Sequence, residues 1–208
     1  MPKIGSLACK FSPTVELPWE KSYYISRDAM DNFLLQPTTL SIQKSVFSTA
    51  FLRAVKSKIV TSNVRVANLI GECKEGINQS EWCIALPNLV ELHLLNVILS
   101  NNWITGNTEC PKNSSLKLLT VEGCVQPVEQ WNIDEFVAFF KKQHPLIKVE
   151  FGFRRSDLPH LQAMMNFFAK RFSVSELSTP LRRDGRYVFL IHDQATYKCV
   201  LPEDAHDQ

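Results

Sequence analysis

With 208 residues, 45% of them hydrophobic, the chain is long enough for one domain with a sizeable core and too apolar for global disorder. Lys and Arg number 23 against 21 Asp and Glu, a formal charge of +2, so no concentrated basic face is expected and nucleic acid is not an expected partner. No window of about 18 uncharged apolar residues occurs, so no membrane partner is expected either.

Met1 to Lys10 hold too few consecutive apolar residues for a signal-peptide core, and Pro2 excludes an N-terminal myristoyl glycine. The expected setting is therefore intracellular, cytoplasmic or nuclear. The cysteines, Cys9, Cys73, Cys83, Cys110, Cys124 and Cys199, are scattered without a CxxC pair or a zinc-like Cys/His spacing, and read as reduced thiols. The sequons at Asn78 and Asn113 are chance matches in that setting.

Residues 1–36 are expected to form an N-terminal cap. From Pro37 onward two kinds of segment alternate. Pro37 to Ile42 has apolar residues at relative positions 1, 4 and 6. Ser45 to Lys58 follows, with Val46, Phe47, Ala50, Phe51, Ala54 and Val55 at helical spacing. Val64 to Leu69 repeats the first pattern, and Asn78 to Leu86 suggests a short helix carrying Trp82 and Ile84. Leu89, Leu92, Leu94, Val97 and Leu99 give the fullest strand-type segment. Ile98 to Ser115, rich in Asn, Thr, Gly and Ser, reads mostly as loop. Leu116, Leu119, Val121 and Cys124 repeat the pattern again. Asn132, with Glu135 three residues on, opens a helix whose inner stripe is Phe136, Phe139 and Phe140.

Leu146, Val149 and Phe151 form the next strand-type segment. Asp157 and Pro159 then open a helix with Leu161, Met164, Met165, Phe168 and Phe172 on its inner face. Val174 to Thr179 is a last, thinner copy. Leu181 to Ile191 reads as a turn at Asp184-Gly185 leading into a final strand, so that residues 181–201 close the domain. Pro202 to Gln208, with three acids and little apolar surface, are expected to be a disordered tail.

The strand-type segments from Leu89 onward start 27, 30 and 28 residues apart, and earlier ones precede them at steps of 25 and 27. Near-constant spacing is the mark of a repeat architecture, in which each strand–helix unit buries its apolar side only against its neighbours. The expected fold is α/β: an irregular solenoid of strand–helix units over residues 37–201, with a parallel sheet, positions 1, 4 and 6 facing the core, and Cys124 at a tight buried bend.

Leu116, Leu119, Val121 and Cys124, with Leu89, Leu92 and Leu94, resemble the leucine-rich-repeat superfamily, above all the cysteine-containing repeats of F-box/leucine-rich-repeat proteins. The resemblance spans about residues 37–180 and departs from the pattern in using Phe151 for Leu and in lacking Asn or Cys at position 9 of most repeats. Leu181 to Ile191, behind Trp131 to Phe136, looks more loosely like the F-box-associated regions of nematode ubiquitin-ligase adaptors. Val15 to Glu20 has a Leu-Pro opening, but no F-box helical pattern follows it. The resemblance implies a protein-interaction module binding through its sheet face, and an adaptor form would also contact a Skp1-like linker.

Positions 3, 5 and 7 of each strand alternate away from the core. They hold Glu91, His93 and Leu95, then Leu118, Thr120 and Glu122, then Lys148, Glu150 and Gly152. This face is the expected protein-binding site, with no small-molecule cofactor. The same polar mixture would also suit an ordinary wet sheet face. No enzyme is expected, since no GxGxxG, GxxxxGKS, HExxH or GxSxG occurs and glycines number only 7. His192-Asp193 with Cys199 is the nearest approach to a nucleophile and base, and a closing strand explains it better. Asp134-Glu135 read as first-turn acids at a positive helix end, and Lys141-Lys142 and Lys170-Arg171 as cations at helix C-termini. Arg154-Arg155 and Arg182-Arg183 are solvated pairs that could share one edge of the domain. A structural subunit of a larger assembly, or an enzyme of unrecognised class, is the alternative to a binding module.

Overall fold

The computed structural model describes residues 14–17, 36–43, 56–57, 59–71, 79–97, 99, 115–123, 128–177, 185–193 and 195–204. The Ser45–Lys58 helix (except residues 56–57, which are helical), Cys124, most of the 98–115 segment and Arg182-Arg183 lie outside the described residues.

Within them the chain is α/β. The strands are β1 (Thr14–Leu17), β2 (Thr39–Gln43), β3 (Val66–Ile70), β4 (Glu91–Leu95), β5 (Leu118–Glu122), β6 (Lys148–Phe153), β7 (Ser173–Glu176), β8 (Tyr187–His192) and β9 (Ala195–Val200). The helices are α1 (Gln79–Ala85), α2 (Ile133–Lys142) and α3 (Leu158–Phe168). The described strands form one open sheet in the order β1-β2-β3-β4-β5-β6-β8-β9-β7. Every neighbour pair from β1 to β8 is parallel, while β9 pairs antiparallel with both β8 and β7.

The alternation read from the sequence sets the register. Leu40, Ala67, Leu92, Leu119, Val149 and Val188 lie side by side across the sheet, and Ile42, Leu69, Leu94, Val121, Phe151 and Leu190 form the next row. None of these twelve is more than 3% exposed. Burying each of these side chains except the small Ala67 contributes roughly 1.5–3 kcal/mol, and a one-residue slip would turn the whole set to the opposite face.

The entries to the strands repeat as well. The carbonyls of Thr38, Arg65 and Val90 each accept two N–H groups from the next strand's entry, at 2.7 to 3.2 Å. At the exits Asn96 and Gly123 take the left-handed conformation, φ 54° and 68°, that turns the chain off β4 and β5.

The helices cover the inner face. Asn132 caps α2, its Oδ1 accepting from the N–H groups of Asp134 at 2.9 Å and Glu135 at 3.4 Å. Phe136, Phe139 and Phe140 of α2 pack with Phe167 and Phe168 of α3 and with Phe172, and the Phe136 ring centre lies 5.0 Å from that of Phe168. In α1, Trp82, Cys83 and Ala85 are buried while Ile84 is exposed, so Ile84 is not on the inward side of that helix.

The structure differs from the sequence expectation at five places. At the entry to β6, Ile147 is buried and Leu146 is 42% exposed. A turn in which the N–H of Leu146 donates to His144 Nδ1 and that of Ile147 to the His144 carbonyl brings the chain to the core one residue late. The segment starting at Val174 does not continue the parallel series. As β7 it forms the antiparallel far edge, and β8 takes the place beside β6. The closing hairpin turns between His192 and Ala195, with Asp193 at φ 48°, whereas Gly185 lies before β8. Pro202–Asp204, expected to begin a disordered tail, form a 3-10 turn in which Glu203 pairs with Lys141. Finally, β1 lies within the expected N-terminal cap and extends the parallel ladder by one strand.

Candidate binding face of the sheet

Opposite the helices, the outer face carries every residue expected there. Glu91, His93 and Leu95 lie on β4, Leu118, Thr120 and Glu122 on β5, and Lys148, Glu150 and Gly152 on β6. The register arranges them in rows: Glu91–Leu118–Lys148, then His93–Thr120–Glu150, then Leu95–Glu122–Gly152. Glu122 is exposed and the others are half-buried, in contrast to the closed inner rows.

Neighbouring strands extend these rows in both directions. On β3 they continue as Val66, Asn68 and Ile70, all half-buried. Those three were legible in the sequence, because positions 3, 5 and 7 counted from Val64 name them. On β8 the rows continue as Tyr187, Phe189 and Ile191. No periodic signal pointed to these, since β8 enters the sheet out of the expected order.

The two ends of the face differ. Tyr187 and Phe189 are each 2% exposed and form a small second cluster with Val200 and Ile191. Lys198 Nζ stands 4.0 Å over the Tyr187 ring, and desolvation pulls its amine below the usual lysine value. The outer face is therefore closed at β8–β9 and open over β3–β6.

Within the open part the polar groups are modestly tied. His93 Nε2 lies 3.5 Å from Glu91 Oε2, and Thr120 Oγ1 donates to Glu150 Oε2 at 3.4 Å. A Cβ on Gly152 would lie 2.9 Å from Glu122 Cγ, so the missing side chain lets the Glu122 stem lie across β6.

The other singled-out residues are placed apart from this face or from each other. His192 pairs with Ala195, and Cys199 lies opposite Val188, four residues back along β8, or about 13 Å of strand. Burial pushes the Cys199 thiol up to about 12, so it stays protonated at neutral pH. Asp134 forms an ion pair with Arg171 at 2.8 Å, which raises the arginine's pKa through hydrogen bonding and charge. Lys170 stands 5.9 Å over the Phe167 ring, and Arg154 donates to Asn96 Oδ1. Among the described residues no group of three His, Cys, Asp or Glu could hold a metal ion, and no helix is long and apolar enough to cross a membrane.

No known family model, curated protein or solved structure matches the chain.

Proposed function

We propose that this chain is a non-catalytic protein-interaction module, a leucine-rich-repeat-like solenoid that takes a protein partner across the outer face of β3–β6. The observation that carries the reading is the asymmetry of the sheet. Its inner rows are no more than 3% exposed, whereas the outer rows over β3–β6 stay half-open and mix carboxylates, an imidazole, a hydroxyl and aliphatic groups. Partner surfaces are built from such mixtures. The solenoid reading is supported by β1 to β6 lying as parallel neighbours in chain order, with α2 and α3 on the inner side.

Photo-crosslinking tests the face. A benzophenone amino acid replaces Thr120 on the outer face or, in a second variant, Gln162, which is exposed on α3. The expected result is a discrete crosslinked protein from position 120 and none of the same mass from position 162. Indistinguishable patterns from the two positions refute the reading.

The resemblance to F-box/leucine-rich-repeat proteins extends the proposal to the substrate-recognition part of a ubiquitin-ligase adaptor. Co-purification with a Skp1-like linker tests that extension, and failure to bind one removes it while leaving the binding module intact.

A further inference from the structure

We infer that the free edge of β7 and the groove at its start together take an extended polypeptide segment, held by its main chain and by one large apolar side chain. This edge lies three strands beyond β6 and is separate from the outer face of β3–β6.

The register of β7 decides which of its main-chain groups are free. The N–H of Leu177 donates to the carbonyl of Thr196 at 2.7 Å, which fixes Leu177, Ser175 and Ser173 as the residues bonded to β9. Bonded and non-bonded residues alternate in an antiparallel pair, so the N–H and C=O groups of Val174 and Glu176 point away from β9. No described strand lies beyond them, and Ser173, Ser175 and Glu176 are exposed. Two donors and two acceptors at strand spacing are what an extended backbone pairs with.

A groove of about 540 Å³ opens where this edge begins, and Ser173 belongs to both. Val137 of α2, Phe172, Leu201 and Pro202 give the groove apolar walls. Its charged groups are engaged within the chain. Lys141 pairs with Glu203, Arg171 pairs with Asp134, and Lys170 stands over the Phe167 ring. What the groove offers a ligand is therefore room for an apolar side chain. A segment paired with Val174 and Glu176 sets its next residues past Ser173, at the groove.

A second copy of the chain is a poor occupant. The edge is four residues long, or about 14 Å, and pairing along it alone falls far short of the roughly 1,200 Å² that a stable interface buries. A flexible segment follows edge and groove at once.

Amide hydrogen exchange on the full chain, followed by NMR, tests this with the peptide Phe-Thr-Val-Ser-Val-Thr-Phe as probe. In the free chain Val174 and Glu176 are expected to exchange faster than Ser175 and Leu177. Probe at up to about 1 mM is expected to slow Val174 and Glu176 at least about fivefold. The same peptide with proline at its third and fourth positions is expected to leave them unchanged. With serine for both phenylalanines it is expected to bind at least about fivefold more weakly. Val174→Pro removes an edge donor outside the β9 ladder, so it is expected to abolish probe binding with little change in melting temperature. No slowing of Val174 and Glu176, or slowing that survives the proline peptide, overturns the edge assignment. Equal binding of the serine peptide overturns the part given to the groove. Slowing that grows with protein concentration without probe makes a second copy the occupant and overturns the choice of a peptide.

Discussion

The guanidinium of Arg154 donates to Asn96 Oδ1 at 2.5 Å, crossing Gly123 on the way, so the exits of β6, β5 and β4 are tied in one contact. Arg154 Nη2 would lie 3.4 Å, and Asn96 Oδ1 2.4 Å, from a Cβ at position 123. Glycine is needed there twice over, for its φ of 68° and for the space it leaves.

Gly123→Ala is therefore expected to cost at least about 1–2 kcal/mol from the left-handed backbone alone, with the clash adding to it. Asn96→Gly in the same chain removes the clash and should recover part of the loss, so the two changes are not additive. Urea denaturation of the single and double variants measures this. An unchanged midpoint for Gly123→Ala contradicts the arrangement.

Leu119 and Thr120 are adjacent in sequence and opposite in fate. Leu119 is fully buried between Leu92 and Val149, while Thr120 faces outward between His93 and Glu150. Leu119→Asp buries an unpaired charge and is expected to cost upwards of about 4 kcal/mol, with loss of the cooperative transition. Thr120→Asp loses the long hydroxyl bond to Glu150 and meets its like charge on a half-open face, together a cost of about 1–2 kcal/mol. Circular dichroism melts of both variants suffice, and similar behaviour of the two would show that the register is wrong.

Phe136 joins α2 to α3. Its ring centre lies within 6.4 Å of those of Phe139, Phe140, Phe167, Phe168 and Phe172. Phe136→Ala is expected to cost about 3–5 kcal/mol, and Phe136→Leu clearly less, because leucine fills more of the cavity. Equal losses in a denaturant titration would mean that ring packing is not what holds the helices.

Cys199 gives a pH dependence with a definite sign. Burial raises its thiol from an ordinary 9.0 to about 12 in the folded chain. Between those values the unfolded chain releases the proton and the folded one keeps it, so this contribution to stability is complete below about pH 9 and is lost as pH rises toward 12. Cys199→Ala should lessen the alkaline loss of stability over that window. Denaturant midpoints at pH 8 and pH 10.5 for both chains test it, and a parallel decline would assign the alkaline loss to other groups.

The sequence by itself determined the strands from β2 to β6, their inward rows and the outward set from Glu91 to Gly152, because a period of two along a strand, repeated every 25 to 30 residues, leaves one register that buries the leucines. It also determined the start of α2, since Asn132 capping is a local interaction. Tertiary structure decided what depended on distant partners. Val174 carries the same spacing as the earlier strands, yet β7 goes to the edge and β8, with its run of Tyr187, Val188, Phe189 and Leu190 buried on both faces, goes inside. That choice is set by competition for burial, which a local pattern does not encode. The closing of the outer face over Tyr187 and Phe189, the lean of Glu122 across Gly152 and the bond from Arg154 to Asn96 arise the same way. The last two join residues 30 and 58 positions apart, and the first brings Lys198 and Val200 of the next strand onto Tyr187 and Phe189.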